Sequence, residues 1–555
     1  MKKIKLNKFL AFVIVLSLAV SMLAGCATSN NTKSNSNSSS TSNNTKTETK
    51  DSDTTSGSDS SSQANIPGYL NMDGFPLVKE PKSLRIMVNN SSYQPDYNEV
   101  AMWKAYEEMT GVDIIWENIP AGTANEKLTM AFASGELPDA FLKFSISAIN
   151  QMRFGSEGML VNLKEGDLLK TYAPNFYAYM KSHPSVEGAI TMPDGAIYSF
   201  PQAIESIPNK VAAKMFLNKT WLDKLNLKLP TTTDEFYNIL VQFKNSDPNG
   251  NGQKDEIPFS APNFNYVYYV LAGAFGVGNR GVHDTLVDAD PETGYPRIIG
   301  ASDDWKNLLQ FLNKLYTEGL LDNEIFTMKS AQYTAKVAED LVGVISYTNF
   351  SNIPEDASKN FTGLEEALEG PNGDKFWFPV RSDLHSIGNW VITSACKTPE
   401  LAVKFIDYFY TEEGVRLFNY GVEGVSHVVN PDGTFSFVQS VYDSIAGGIT
   451  FDAAVAPHVT VGGSNPVIVM EKYFYGGETA PVPAAAAHAM VKYFPKEIWP
   501  IFNYTQEEAD EASVIRTDIS NYVSKMQAEF VTGQTSFSEW DNYVQQIKAM
   551  GADRL

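Results

Sequence analysis

The sequence predicts an α/β protein with mainly parallel sheets and enough core for at least two domains. Two observations carry that reading. Between Leu84 and Leu142 short apolar runs alternate with amphipathic helices in the order strand, helix, strand, helix, strand, the pattern of a parallel sheet. In addition, 43% of the 555 residues are hydrophobic and 12% aromatic, too much apolar material for a disordered chain.

Residues 84–88 read as the first strand, ending in polar Asn89, Asn90, Ser91 and Ser92. Residues 97–110 then set Met102, Ala105, Tyr106 and Met109 on one helical face, and Gly111 stops the helix. Residues 112–116 form the second strand, and a helix over 124–133 leads through Gly135 and Pro138 to Ala140-Phe141-Leu142, the third. Further on, Thr232 and Glu235 make a capping box before the apolar face Phe236, Ile239, Leu240 and Phe243. Trp305, Leu308, Leu309, Leu312, Leu315 and Tyr316 form another such face. Thr398-Pro399 starts a helix with Thr at the N-cap and Pro at its first position. A last helix carries Trp540, Tyr543, Val544 and Ile547.

The first 65 residues belong to a different kind of segment. Lys2, Lys3, Lys5 and Lys8 precede the apolar run 9–20, which is short for a membrane span and has the anatomy of a secretory signal. It ends in Leu23-Ala24-Gly25-Cys26, which resembles a bacterial lipobox. That resemblance implies a signal peptide over 1–25, cut before Cys26, and a lipid on the Cys26 thiol that anchors the chain to the membrane. An ordinary signal with an incidental cysteine, or an uncleaved anchor, are the alternatives. Residues 26–65 contain no Leu, Ile, Val or Phe; they read as a disordered Ser/Thr/Asn-rich tether with an r.m.s. reach of roughly 35 Å.

Charge and motifs exclude several functions. Lys+Arg is 43 against Asp+Glu 65, a formal charge of −22, which argues against nucleic acid as a partner. Two cysteines exclude a disulfide scaffold, and Cys396 sits in an apolar run as a buried thiol. His183, His283, His385, His427, His458 and His488 are scattered without ligand spacing. The Gly276–Gly281 run matches G-x-G-x-x-G but neither follows a strand nor opens a helix, so it reads as a loop. No nucleophile elbow, phosphate-binding loop or zinc-protease pair is present, which leaves no candidate catalytic residue.

One motif has a sharp physical meaning. In Asp247-Pro248-Asn249-Gly250-Asn251-Gly252-Gln253-Lys254-Asp255-Glu256, oxygen side chains stand at loop positions 1, 3, 5 and 9, with a turn-forming glycine at 6. This is EF-hand spacing for one structural calcium ion. Asp247, Asn249, Asn251 and Asp255 would give side-chain oxygens and Gln253 its carbonyl. Position 12 is Pro258, so Glu256 at position 10 would replace the usual bidentate glutamate. A polar Asx-rich turn is the alternative reading.

The chain beyond the tether resembles the family 1 extracellular solute-binding lipoproteins of bacterial ABC transporters, in particular oligosaccharide-binding members. The resemblance runs through Ala133-Ser134-Gly135-Glu136-Leu137-Pro138-Asp139, Asp194-Gly195-Ala196-Ile197-Tyr198-Ser199-Phe200-Pro201, Phe216-Leu217-Asn218-Lys219-Thr220-Trp221, Leu229-Pro230-Thr231-Thr232, Tyr316-Thr317-Glu318-Gly319 and Thr411-Glu412-Glu413-Gly414. Asn218-Lys219-Thr220 departs from the family, where an acidic residue commonly precedes the Trp.

The resemblance implies a two-lobe, periplasmic-binding-protein-like type II fold with hinge-crossing strands and a helical C-terminal extension. The expected N-lobe is 80–200 plus 348–390 and the C-lobe 205–345 plus 396–555, with crossings at 198–204, 345–349 and 387–396. Ligand contacts are expected at strand ends and crossings: Asn89, Ser91, Trp116, Glu117, Lys143, Phe144, Ser145, Tyr198, Gln202, Tyr266, Tyr268, Tyr269, Tyr347, Asn349 and Trp390, each aromatic having core packing as its alternative. The implied protein is a monomer, lipid-anchored on the extracellular face of the cell membrane, which hands an oligosaccharide to permease subunits and catalyses nothing. A peptide ligand, a surface-anchored carbohydrate-active enzyme, and an adhesin or sensor are the competing readings.

Overall fold

The computed structural model describes residues 66–555; the expected signal peptide over 1–25, Cys26 and the expected tether over 26–65 lie outside the described residues. In chain order the strands are β1 (Lys82–Asn89), β2 (Val112–Ile119), β3 (Ala140–Leu142), β4 (Ser199–Ile204), β5 (Lys214–Asn218), β6 (Ile257–Ser260) and β7 (Val287–Ala289). They continue with β8 (Pro296–Ile298), β9 (Val342–Tyr347), β10 (Phe361–Gly363), β11 (Leu384–Ile392), β12 (His427–Val429), β13 (Phe435–Phe437) and β14 (Ile468–Val469).

Two sheets organise the two lobes. The first has the order β14-β4-β11-β3-β1-β2, the second β10-β5-β9-β6. The strand–helix alternation near the start becomes the parallel set β2-β1-β3. Leu84, Ile86 and Val88 of β1 are fully buried, and helix Ala101–Thr110 lays Met102, Trp103 and Tyr106 into the same core. Trp103 thus joins the buried face, one position beyond the expected stripe, and its Nε1 donates to Thr460 Oγ1 at 2.9 Å. β11 enters antiparallel between β3 and β4, so the sheet is mixed.

In the second lobe, Thr232 caps helix Thr233–Asn245 by accepting from Glu235 N at 3.1 Å, and Phe236, Ile239, Leu240 and Phe243 are buried as its spacing predicts. Helix Asp303–Thr317 buries Trp305, Leu308, Leu309, Leu312 and Leu315 beside the 27-residue helix Gln506–Thr532. Asn218, where the family commonly has an acid, caps the following helix through Trp221 N and donates to Asp340 Oδ1 at 2.8 Å.

The lobe boundaries differ from the sequence reading in two places. Leu364, Leu368, Trp377, Phe378 and Val380 pack with the four-stranded sheet, not with the first lobe. This follows from pairing: β9 does not cross at 345–349, because β10 folds back onto β5 in the same sheet. Conversely, Leu401, Phe405, Phe409, Phe418, Val459 and Ile468 belong to the core of the six-stranded sheet, whereas 396 onward was expected in the second lobe. The chain therefore crosses near 205–213, 381–383 and 470–480. Its final helices Gln506–Thr532 and Trp540–Ala549 pack into the second lobe.

Three bonds tie the first two crossings together. Lys210 Nζ meets Asp383 Oδ1 at 2.6 Å, Arg381 N donates to Lys210 O, and Ile204 N to Asp383 O. Lys214 lies behind them, 1% exposed, with Nζ donating to Pro208 O, Val211 O and Thr348 O at 2.9, 3.0 and 2.9 Å. The third crossing passes so close that a Cβ on Gly477 would lie 2.2 Å from Ser351 Oγ.

Candidate functional site

A cleft of about 390 Å³ opens where these crossings meet. Its walls take Gln202 and Ile204 from β4, Asn209 and Val211 from the first crossing, Thr348, Asn349 and Ser351 from the turn after β9, and Arg381 and His385 from the second crossing. Segment 460–478 completes it with Gly462, Asn465, Phe474, Tyr475 and Glu478. Phe474 and Tyr475 are its aromatic surface, their ring planes nearly parallel at 11° and their centroids 6.2 Å apart. Polar side chains around a short aromatic strip fit sugar rings, whose C–H faces pack on aromatics while their hydroxyls need partners.

Segment 456–469 forms much of the cleft floor. Gln94 clasps it, donating to Ala456 O and accepting from Val461 N at 2.8 Å. Lys143 Nζ donates to Val461 O, Ser145 Oγ to Ser464 Oγ at 2.7 Å, and Ser464 N to Gln202 Oε1 at 3.0 Å. The loop reaches this pose through positive φ at Gly462 (81°) and Ser464 (66°). It thereby covers the carboxyl ends of β1 and β3, where the strand-end rule locates contacts.

Of the residues nominated from sequence, Gln202 and Asn349 line this cleft. Asn89 Nδ2 donates to Lys143 O, and Lys143 itself is 4% exposed beneath the loop, its ammonium pushed down to about 7 by burial. Ser91 has a buried hydroxyl facing the same loop. Phe144 is in the core, Trp116 packs on Tyr97 and Trp103, and Glu117 pairs with Arg85 at 3.3 Å. Tyr198 is buried near Asp194 Oδ2, and Trp390 is fully buried against Phe405. Tyr268 packs edge-on to Trp305. Tyr266 meets Tyr347 edge-on, and Tyr266 and Tyr269 flank Arg381.

Arg381, His385, Asn209, Asn465, Phe474 and Glu478 were not singled out by sequence reading. Arg381 Nη1 donates to Asn209 O at 2.9 Å, and among the described residues it has no ion-pair partner. Burial, then the Arg381 charge, holds His283 and His385 down to about 4, so both rings are neutral at ordinary pH. The ring of His385 is solvent-exposed yet walled by protein, as on the side of a cleft.

The oxygen-rich loop lies in the second lobe. Asp247 Oδ1 accepts from Gly250 N at 2.8 Å and Asn251 N at 3.1 Å, and Oδ2 from Gly252 N at 3.0 Å. Asn249 Oδ1 accepts from Asn251 N, and Asn251 Oδ1 from Gln253 N at 2.7 Å, while Asn251 Nδ2 turns to both oxygens of Asp255. Glu256 points inward with both carboxyl oxygens buried and without a donor, and burial raises its pKa. Among the described residues no three His, Cys, Asp or Glu side chains are gathered into a metal-binding group.

Two α/β lobes joined by crossing segments define a class of fold, and the comparisons agree with it. Residues 90–416 match the family model for bacterial extracellular solute-binding proteins, and the chain belongs to that family. It is 31% identical over 505 residues, 88% of this chain and 91% of the relative, to the fructooligosaccharide ABC transporter substrate-binding protein FusA of Streptococcus pneumoniae. The solved structure of FusA in complex with kestose is similar with a TM-score of 0.66 at 29% identity, covering 85% of this chain and 97% of that one. A FusA structure described as an EF-hand mutant, in complex with fructo-nystose, gives 0.65 at the same identity and coverage. Among the described residues no helix is long and apolar enough to cross a membrane.

Proposed function

We propose that this protein is the lipid-anchored solute-binding component of an ABC importer, capturing an oligosaccharide between its lobes and delivering it intact to the permease. The observation that carries the reading is the hinge cleft itself. Polar side chains from both lobes line it together with Phe474 and Tyr475, where a closing motion of the lobes would act on a ligand. The relative named for fructooligosaccharide transport supports the ligand class. Anchoring rests on Cys26 in its lipobox-like setting, with the tether holding the lobes outside the membrane.

Calcium belongs to the same reading as a structural ion. The fit is carried by Glu256, a buried carboxylate without a hydrogen-bond donor that a divalent cation would satisfy. Asp247, Asn249, Asn251, Gln253, Asp255 and Glu256 would hold the ion once the amides of Asn249 and Asn251 rotate their oxygens inward. All lie in one loop of the second lobe, so the ion stabilises that lobe and leaves the cleft chemistry to Arg381 and its neighbours.

Thermal unfolding of the full chain with kestose, maltotriose or a tripeptide, in calcium and in chelator, tests both halves. A ligand that binds only the folded state raises the transition. A rise with a saccharide, and its release uncleaved, is the expected result. A rise with the peptide alone, or a cleaved sugar, overturns the assignment; a transition indifferent to chelator removes the calcium.

A further inference from the structure

The cleft presents two carboxylates and one guanidinium to a ligand. Asp452 and Glu478 both line it, and among the described residues neither side-chain carboxylate accepts a hydrogen bond, although Glu478 lies within reach of the Arg381 charge. Arg381 has given one N–H to Asn209 O and keeps the rest of its fork free. Two further cations stand close by, but burial pushes both ammonium groups down to about 7, which lessens their charge at neutral pH, and their N–H groups are spent. Lys143 is spent on Val461 O beneath the floor loop, and Lys214 on three backbone carbonyls behind the hinge. His283 and His385 add no charge at neutral pH.

We propose that the cleft admits uncharged oligosaccharides and turns away those built of uronic acids, with Asp452, Glu478 and Arg381 setting that preference. The inference rests on the oligosaccharide reading and adds the ligand's charge to it. Hydrogen-bond complementarity is the reason. An ionised carboxylate only accepts, so Asp452 and Glu478 are satisfied by hydroxyl groups, which donate as well as accept. Arg381 then takes the lone pairs of neighbouring hydroxyls in its planar fork.

An oligouronate carries a negative charge on every ring. A trimer would bring three carboxylates into a space that offers one free cation and two carboxylates of the same sign. Like charges set together in a partly desolvated cleft oppose binding, and exclude wrong ligands more strongly than any one contact selects the right one. The chain's formal charge of −22 disfavours approach of the same ligands at low salt.

Isothermal titration of the full chain with kestose, maltotriose and tri-galacturonate decides the matter. At least one neutral trisaccharide should bind, with affinity changing less than threefold between 20 and 500 mM NaCl, and tri-galacturonate should bind at least 100-fold more weakly. In Asp452→Asn with Glu478→Gln, tri-galacturonate should gain tenfold or more at low salt. Unchanged melting in circular dichroism, expected for two side chains without protein partners, would show that the variant is folded. Tri-galacturonate binding as tightly as the neutral sugars overturns the charge preference while the oligosaccharide reading stands. A double variant that discriminates like the parent removes the two carboxylates as its cause. Binding by neither class takes down the oligosaccharide reading and this inference together.

Discussion

The loop at 247–256 and the cleft floor at 456–478 are both irregular segments that bend at positive-φ residues, yet they are assembled in opposite ways. The loop is one stretch of ten residues whose backbone N–H groups converge on its own Asp247. The floor is held by groups far away in sequence: Gln94, Trp103, Lys143 and Gln202. A site of the first kind tolerates change elsewhere in the fold, whereas one of the second kind moves with the lobes. That difference sets a locally specified loop against a cleft floor that depends on the rest of its lobe.

Substitutions should separate the two regions. Arg381→Met is expected to give the largest effect, a loss of saccharide affinity of about 100-fold, or about 3 kcal/mol, since it removes a charged donor from a partly buried site. The calcium-induced rise in melting temperature should survive. Titration calorimetry finding affinity within threefold of the parent would detach Arg381 from the ligand. Next comes Glu256→Gln, whose effect should change sign with the ion. With excess calcium the variant should be less stable than the parent by about 2 kcal/mol. In chelator it should be equal or more stable, because a buried carboxylate without a donor has been neutralised. Its saccharide affinity should not move; a tenfold change would mean that loop and cleft are not independent. Phe474→Ala should follow at about 1–2 kcal/mol of affinity, the loss of one stacking face. Equal affinity there would return Phe474 to a packing role.

The same contrast explains what could be read from the chain beforehand. Elements set by local rules were legible: the strand–helix alternation at 84–142, the Thr232–Glu235 box and the stripe from Trp305 to Leu315 all appear as expected. The loop at 247–256 could be nominated beforehand because its spacing is contiguous, and its turn at Gly250–Gly252 is present, with Asp247 accepting from both backbone N–H groups. The cleft was not. Strand ends were nominated by a general rule of open α/β sheets, and no pattern in the sequence announced that residues 460–465 would fold over Asn89, Lys143 and Ser145. Trp390 and Tyr268 illustrate the other difficulty, since an aromatic bound for the core and one bound for a ligand have the same local signature. The lobe boundaries went astray for a related reason. Whether the chain crosses after β9 depends on β10 pairing with β5, some 140 residues upstream, and that partnership has no local mark.

The smallest effect concerns acid, and it tests whether the hinge wall is coupled to folding. His283 and His385 are held down to about 4, by burial first and by the Arg381 charge second. Because their folded values lie below the unfolded one near 6.5, the unfolded chain takes up more protons between these limits. The stability they contribute is therefore complete above about pH 6.5 and lost as the pH falls toward 4. His385 is solvent-exposed, and solvent screening discounts its share. Other groups titrate in the same window: burial also lowers His427 and His458, and raises Asp407 to about 6, which acts in the opposite sense. The informative quantity is thus the difference between the parent and His283→Gln with His385→Gln. Urea unfolding at pH 7 and pH 5 should show the variant losing less stability than the parent. If the two lose the same amount, neither ring is neutral because of its place in the fold, and the hinge wall is more open to water than its packing implies.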